Sequence, residues 1–159
     1  MTTMLDIANR LGISKSTVSK ALNGAPDISE TLRKTVFETA VEMGYTRLKR
    51  YRDTGKRLCI FIENMDCTDP SHFGYDIVMG FRQMAEPAGY TVDIVYITEE
   101  LQKETEYEVY MLENDYLGAF FLGMSLSDPW REELKASRTP AVLYDNYISN
   151  PYTTYIGVD

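Results

Sequence analysis

Two short helical patterns separated by a glycine-bearing turn open the chain, and they constrain its fold more than any other feature. Thr3 and Asp6 stand at the T-x-x-D spacing of a helix start, where a hydroxyl and a carboxylate bond the first free amides. Apolar residues then recur at helical spacing as far as Gly12, which suits the left-handed end of a helix. Ser14 can cap a second helix, which ends before Gly24.

A third helical pattern runs from about 29 to 43, and the three patterns together predict a helix-turn-helix domain over residues 1–45. The second helix places Val18, Ala21 and Leu22 on one face and leaves lysines and hydroxyls on the others. Such an open face fits the major groove of DNA, where lysine reaches guanine acceptors or phosphates. From spacing alone, the alternative is a three-helix bundle whose polar face is only solvated.

The residues of this domain resemble the DNA-binding headpiece of the lactose-repressor family. The run Thr-Val-Ser-Lys-Ala-Leu-Asn at 17–23 is its most specific part, and the match extends over nearly all of residues 3–45. The resemblance implies that Lys15, Ser16 and Lys20 read bases. It also implies that five residues contact phosphates: Thr3, Thr17, Ser19, Asn23 and Arg33. Helix capping remains the alternative role for Thr17 and Asn23, and simple solvation remains the alternative for Arg33.

Residues 46–57 form the most basic stretch, with six Lys/Arg among twelve residues. A charge run of this kind usually marks a solvated linker, which here would add non-specific affinity for phosphates. The resemblance implies instead a hinge helix that wedges a leucine into the minor groove of DNA. Leu48 or Tyr51 could be that wedge. However, Arg47 and Leu48 stand in place of the family's usual Pro-Asn pair, and Tyr51 stands in place of the alanine of its Ala-Arg pair. The broken pattern favours the electrostatic linker.

Charge divides the chain into two parts with different partners. Residues 1–57 hold 11 Lys/Arg and 6 Asp/Glu, whereas residues 58–159 hold 5 and 18, within a total net charge of −8. Phosphates repel an acidic part, so the basic part is the one expected to approach DNA.

Strand and helix patterns alternate over residues 58–159, which predicts a parallel sheet with helices on both faces. The continuous apolar run at 58–62 is typical of a buried parallel strand. Pro87 is expected to kink or shorten the helix that contains it. The expected strands are 58–62, 91–97, 117–122, 141–144 and 155–158, and the expected helices are 75–88, 99–114 and 128–136.

Ligands of such sheets bind at the carboxyl ends of the strands. The segments expected there contain aromatic rings, hydroxyls and carboxylates, which suit a sugar or another small polar metabolite. Ordinary loop polarity is the alternative for any one of these residues. The candidate effector-binding residues are Asp69, His72, Phe73, Ser125 and Asp145.

The order of elements over 58–159 resembles the first lobe of the family's effector-binding core, which is similar to periplasmic sugar-binding proteins. The second lobe of that core is absent from the sequence, so we expect either a fragment or a naturally short relative, and the strand pattern at 155–158 with no helix after it favours the fragment. The predicted fold class is therefore an all-α helix-turn-helix headpiece followed by an incomplete, periplasmic-binding-protein-like α/β parallel-sheet lobe.

The function predicted is a transcription repressor that binds a palindromic operator in double-stranded DNA as a homodimer. A small-molecule effector, such as a sugar, would control its affinity for DNA. The alternative is a DNA-binding and dimerisation module without a working effector site.

Other chemistry has little support in the sequence. His72 is the only histidine, and Cys59 and Cys67 fit neither a disulfide framework nor the spacing of a structural zinc site. Glycine-rich nucleotide-binding motifs do not occur, so we expect no enzyme activity, metal or cofactor. Apolar runs fall short of the roughly 18 residues of a membrane helix, and the N-terminus is unlike a signal peptide. The sequence therefore predicts a cytoplasmic, nucleoid-associated protein with no membrane contact.

Overall fold

The computed structural model describes residues 1–45, called the head below, and residues 56–157, called the body. Three helices form the head, as the sequence predicts. They are α1 (Met4–Leu11), α2 (Lys15–Leu22) and α3 (Glu30–Glu42).

Local side-chain hydrogen bonds determine where the helices of the head begin. Thr3 caps α1, Ser14 Oγ accepts from the amide that opens α2 at 3.0 Å, and Ser29 Oγ does the same for α3 at 3.3 Å. Gly12 ends α1 at φ 66°, a conformation that glycine adopts without steric cost. The buried side chains of the three helices then meet in one small core: Ile7, Ala8, Val18, Ala21, Leu22, Val36, Phe37 and Ala40.

The body is a five-stranded parallel sheet with the order β2-β1-β3-β4-β5. This confirms the α/β parallel-sheet class predicted for it. The elements in chain order are β1 (Lys56–Ile62), α4 (Phe73–Ala85), β2 (Tyr90–Tyr96), α5 (Glu99–Glu104), α6 (Tyr107–Glu113), β3 (Tyr116–Leu122), α7 (Pro129–Leu134), β4 (Ala141–Tyr144) and β5 (Thr153–Ile156).

Helices cover both faces of the sheet because side chains alternate along its strands. Phe61 of β1 packs with Tyr107 of α6 and Trp130 of α7 on one face. Its neighbour Ile60 packs with Val78 of α4 on the other face. Because all five strands are parallel, their carboxyl ends lie at one edge of the sheet.

The single helix expected over 99–114 is wrong, because the structure divides it into α5 and α6. Thr105 between them is extended, with φ −139° and ψ 127°. Its carbonyl accepts a hydrogen bond from Trp130 Nε1 at 2.7 Å, so a tertiary contact stabilises the break.

Three other boundaries also differ from the expected ones or refine them. The first strand already begins at Lys56, within the stretch assigned to the basic linker, since Arg57 pairs with Asp93 of β2. The last strand is Thr153–Ile156 and starts earlier than expected. Helix α4 ends at Ala85, before Pro87, which is the shortening that the proline predicts. Within residues 1–45 and 56–157, no helix combines the length and the apolar character needed to cross a membrane.

Candidate nucleic-acid interface

Helix α2 buries one face and presents the other to solvent. Lys15, Ser16 and Lys20 are exposed on it, and Thr17 and Ser19 are half-buried. The outer face therefore carries two ammonium groups and several hydroxyls, and no bulky apolar side chain. The face turned to the head core consists of Val18, Ala21 and Leu22.

The hydroxyl of Ser14 organises the first turn of α2. Ser14 Oγ accepts from the Thr17 amide at 3.0 Å and lies 2.8 Å from Thr17 Oγ1 and 2.7 Å from Ser16 Oγ. Because a hydroxyl both donates and accepts, Ser16 and Thr17 can keep these contacts and still bond a phosphate or a base. The turn that places Lys15 is thus already ordered.

Lys20 forms an ion pair with Asp27 in the loop before α3. The hydrogen bond from the ammonium lowers the pKa of the Asp27 carboxyl. Both side chains are about half exposed, and surface pairs of this kind are weak enough for a phosphate to compete. Sequence reasoning missed Asp27, because it lies beyond the turn at Gly24 and no helical spacing relates it to Lys20.

Several predicted phosphate contacts have partners within the head. Asn23 Nδ2 donates to Ser19 Oγ at 3.2 Å. Arg33 Nη2 donates to the Ala25 carbonyl at 3.3 Å, and its Nη1 lies 3.8 Å from Glu30 Oε2. The Arg33 side chain is only 23% exposed, so its visible role is to hold the loop between α2 and α3.

Thr3 lies at the start of α1 in a reciprocal capping contact. The Asp6 carboxylate accepts from the Thr3 amide at 2.8 Å and from its hydroxyl at 2.7 Å, and these bonds lower the pKa of Asp6. The two linker residues predicted to contact DNA, Arg47 and Leu48, lie outside the described residues.

The head is electrically neutral despite its predicted role. Residues 1–45 contain five Lys/Arg and five Asp/Glu. Arg10 pairs with Glu42 at 3.0 Å, and Lys34 lies 4.0 Å from Glu38. The positive charge of the N-terminal part of the sequence therefore belongs to residues 46–57.

The predicted effector residues all lie along the carboxyl edge of the sheet. Phe73 opens α4 with its ring centroid 5.9 Å from that of Tyr144, the last residue of β4. Asp145 follows at φ 50°. Ser125, after β3, accepts a 2.9 Å hydrogen bond from Asn64 Nδ2, after β1. Sequence reasoning missed Asn64, although an Asn just after an apolar run is a common site of positive φ, and here φ is 54°.

Asp69 and His72 belong to the loop between β1 and α4. The Asp69 carboxylate accepts from the Ser71 amide at 2.8 Å and hydroxyl at 2.6 Å, and these bonds lower the pKa of Asp69. His72 Nδ1 lies 3.5 Å from Asp66 Oδ1. Asp69 thus stabilises the fold of its own loop, whereas His72 Nδ1 makes no hydrogen bond within the described residues.

A buried polar network lies beneath this edge, and the sequence did not reveal it. Gln102 of α5 donates to Glu63 Oε2 at 3.3 Å and accepts from the Trp130 amide at 3.2 Å. Asp128 accepts from the Ser125 amide at 2.6 Å. Burial, together with the neighbouring Asp128 carboxyl, raises the pKa of Glu63 to about 7. The network joins the end of β1 to α5 and to the start of α7.

Gly123 allows the ends of β1 and β3 to meet. It has φ 78°, and a Cβ at this position would lie 1.8 Å from the Glu63 carbonyl oxygen. A side chain would force the two backbones apart, so the edge depends on glycine here.

Comparison with known proteins relates the chain to bacterial regulators. Residues 3–47 match the family model described as bacterial regulatory proteins, lacI family. The catabolite control protein A of Priestia megaterium is 27% identical over 142 residues, which are 89% of this chain and 42% of that protein. The transcriptional regulator MalR of Streptomyces coelicolor is 29% identical over 165 residues, which are 100% of this chain and 47% of that protein.

A solved structure of a lacI-family regulator from Silicibacter pomeroyi is also similar. It is 22% identical, with a TM-score of 0.43, and the match covers 99% of this chain and 47% of that one. The chain thus spans about half the length of the relatives that it matches.

Proposed function

We propose that the chain is a sequence-specific transcription repressor whose DNA-binding domain is the head, because residues 3–47 match the family model of bacterial regulatory proteins, lacI family. Helix α2 is the element that enters the major groove. The observation that carries the proposal is its outer face, on which Lys15, Ser16 and Lys20 are exposed at the ordered start and middle of a capped helix.

These three residues have the chemistry for reading bases. The two ammonium groups can donate to guanine O6 and N7, and the Ser16 hydroxyl can donate or accept. Asp27 orients Lys20 and withdraws when a base or phosphate replaces it. In this proposal the phosphates on either side are held by Thr3, Thr17, Ser19, Asn23 and Arg33.

The neutral head supplies little non-specific attraction, so the basic residues of 46–57 provide most of it. Arg47 acts there as one positive charge among six. Leu48 is the candidate residue for insertion into the minor groove. The alternative is that residues 46–57 act only as an electrostatic linker.

A homodimer matches the two-fold symmetry of a palindromic operator. The outer side of α4 is the proposed dimer face, since the apolar side chain of Met84 is 78% exposed on it. Two copies joined there would present two α2 helices to inverted half-sites.

The carboxyl edge is the proposed effector site. Phe73 and Tyr147 are exposed there beside Ser125 and Asp145, and apolar rings with a few hydroxyl and carboxylate groups suit a sugar or similar metabolite. A thermal-shift panel of sugars and nucleosides tests this part. Stabilisation by one compound supports it, and no response favours a DNA-binding and dimerisation module without an effector site.

The main experiment is selection of DNA from a random duplex library by the purified chain at low and moderate salt. We expect a palindromic consensus that persists at moderate salt. Lys15→Ala should remove the preference at one base position and weaken binding to the consensus by about 10–100-fold, corresponding to about 1–3 kcal/mol. Lys34→Ala on α3 is the matched control, because it removes an equal charge away from α2. Binding that selects no sequence would contradict the proposal.

A further inference from the structure

Helix α6 has two apolar faces, and the head covers the outer one. Tyr107 and Met111 point inward, where they belong to the aromatic core of the body. Val109 is on the opposite side of the helix and only 6% exposed, because it belongs to the same hydrophobic cluster as Val36 and Ala40 of α3. Leu112 packs at the margin of that cluster. An apolar residue on the outward face of a surface helix needs such a partner to leave water.

A second contact reinforces this one at the end of α3. A Cβ on Gly44 would lie 3.4 Å from Arg138 Nη1, so the guanidinium rests against the head. Glu108 of α6 holds the loop that bears Arg138, since its carboxylate accepts from the Arg138 amide at 2.9 Å and from the Thr139 amide at 3.1 Å. We call Val109, Leu112 and Arg138 the docking surface.

The docking surface places a neutral head beside a strongly acidic body. Residues 56–157 contain 7 Lys/Arg and 17 Asp/Glu. Glu106, the N-cap residue of α6, and Glu113, the last residue of the helix, are both exposed. Negative charges repel DNA phosphates over a distance of about 8 Å at physiological ionic strength. Carboxylates next to the head therefore weaken its approach to DNA.

We propose that the docking surface is an intramolecular binding site for α3, which holds the head in a state of low DNA affinity until it is released. The inference rests on the function proposed above. A protein whose competent state is only partly populated binds with an affinity reduced by that fraction. Mutations that release the head should therefore strengthen DNA binding without touching any DNA contact.

Hydrogen bonds link the start of α6 to α7 and, through Gln102, to the polar network beneath the carboxyl edge of the sheet. Glu133 of α7 accepts from the Tyr107 amide at 2.6 Å. Trp130, also in α7, donates from Nε1 to the Thr105 carbonyl at 2.7 Å and from its amide to Gln102 at 3.2 Å. A ligand that shifts the loop before α7 would thus act on the helix that bears the docking surface.

The test is the double variant Val109→Ser and Leu112→Ser in the full chain. Its control is Ile94→Ser with Tyr96→Ser, which replaces two exposed apolar residues of β2 away from the head. Small-angle scattering reports whether the head leaves the body, and titration with duplex DNA at fixed salt reports affinity. Trp130 emission monitors the fold of the body, because this side chain packs against the inner face of α6.

We expect the docking variant to have a larger radius of gyration and to bind DNA about tenfold more tightly than the unmodified chain, with the control unchanged in both. An unchanged radius of gyration with native Trp130 emission would overturn the docking. Expansion with equal or weaker DNA affinity would overturn the inhibitory role. If neither the unmodified chain nor the docking variant binds DNA at low salt, the proposed function fails, and so does the proposal of a low-affinity state. The scattering measurement still decides whether the head docks on the body.

Discussion

The head and the body place their polar side chains in opposite ways. In the head, lysines and hydroxyls stay at the surface, and each helix start is stabilised by a side chain three residues away, as with Ser14. In the body, Glu63, Gln102 and Asp128 are buried beneath the carboxyl edge and need three separate elements to be satisfied. The surface proposed to read DNA is therefore complete within one helix, whereas the ligand edge exists only when the sheet is assembled.

The hydrophobic cores of the head and the body also differ in composition. The head core is mostly aliphatic and Phe37 is its only buried ring. The body core contains a cluster of rings, in which Phe61 lies 5.0 Å from Phe121 and 5.2 Å from Trp130 between ring centroids. Large buried rings supply much of the apolar area of a core, so the body should respond most to the loss of one.

The largest effect is expected from Phe61→Ala. Removing this buried ring should cost the body about 3–5 kcal/mol, through lost burial and the cavity left behind. Denaturant unfolding followed by Trp130 fluorescence measures the body, and hydrogen exchange of the backbone amides in α1, α2 and α3 follows the head. Leu126→Ala is the control, since this side chain is 76% exposed and should change stability by less than about 0.5 kcal/mol. A head that unfolds together with the weakened body would break the comparison, because the two would then be one cooperative unit.

A change of pH should have a smaller effect on stability, in opposite directions for the body and the head. The pKa of Glu63 is raised from 4.5 to about 7, so the folded body holds this proton more tightly than the unfolded chain does. Stability of the body should fall as pH rises from about 4.5 to about 7, by on the order of 3 kcal/mol, and then level off. Glu63→Gln should abolish this decline.

The head should show the reverse trend. The pKa values of Asp6 and Asp27 are lowered by hydrogen bonds from Thr3 and Lys20, so their stabilisation is present at neutral pH and is lost as pH falls through these lowered values. Unfolding curves of each region from about pH 2 to about pH 8 test both signs, since the change expected in the head lies below the ordinary aspartate pKa of 3.8. A body whose stability rises between pH 5 and pH 7 would show that Glu63 is ionised in the folded state.

The smallest effect is expected from Ser14→Ala. Loss of this cap should cost the head about 1 kcal/mol and leave the body unchanged. It should also weaken DNA binding, because the first turn that places Lys15 and Ser16 becomes less ordered. Ser16→Ala is the matched control, since it removes a neighbouring hydroxyl that makes no backbone cap; it should lower DNA affinity without lowering stability. Equal stability losses in both variants would contradict the role of Ser14 as the organising hydroxyl.

Prediction from sequence succeeded where the interactions are local. The three helices of the head follow from caps and apolar periodicity within a few residues, and the apolar run at 58–62 identifies a buried strand wherever its partners lie. The end of α4 before Pro87 has the same local cause. The expected helix over 99–114 failed because its break at Thr105 depends on Trp130, which is far along the chain.

The sequence by itself determined the helix-turn-helix head, the α/β class of the body and the chemistry on the outer face of α2, because these depend on spacing, capping and side-chain type. Only the tertiary structure decided that Asp27 pairs with Lys20, that Glu63 is buried beside Asp128, and that Val109 is covered by α3. Each of these contacts joins residues across a turn or between separate elements. Their free energies come from proximity and desolvation, which exist only after the chain has folded.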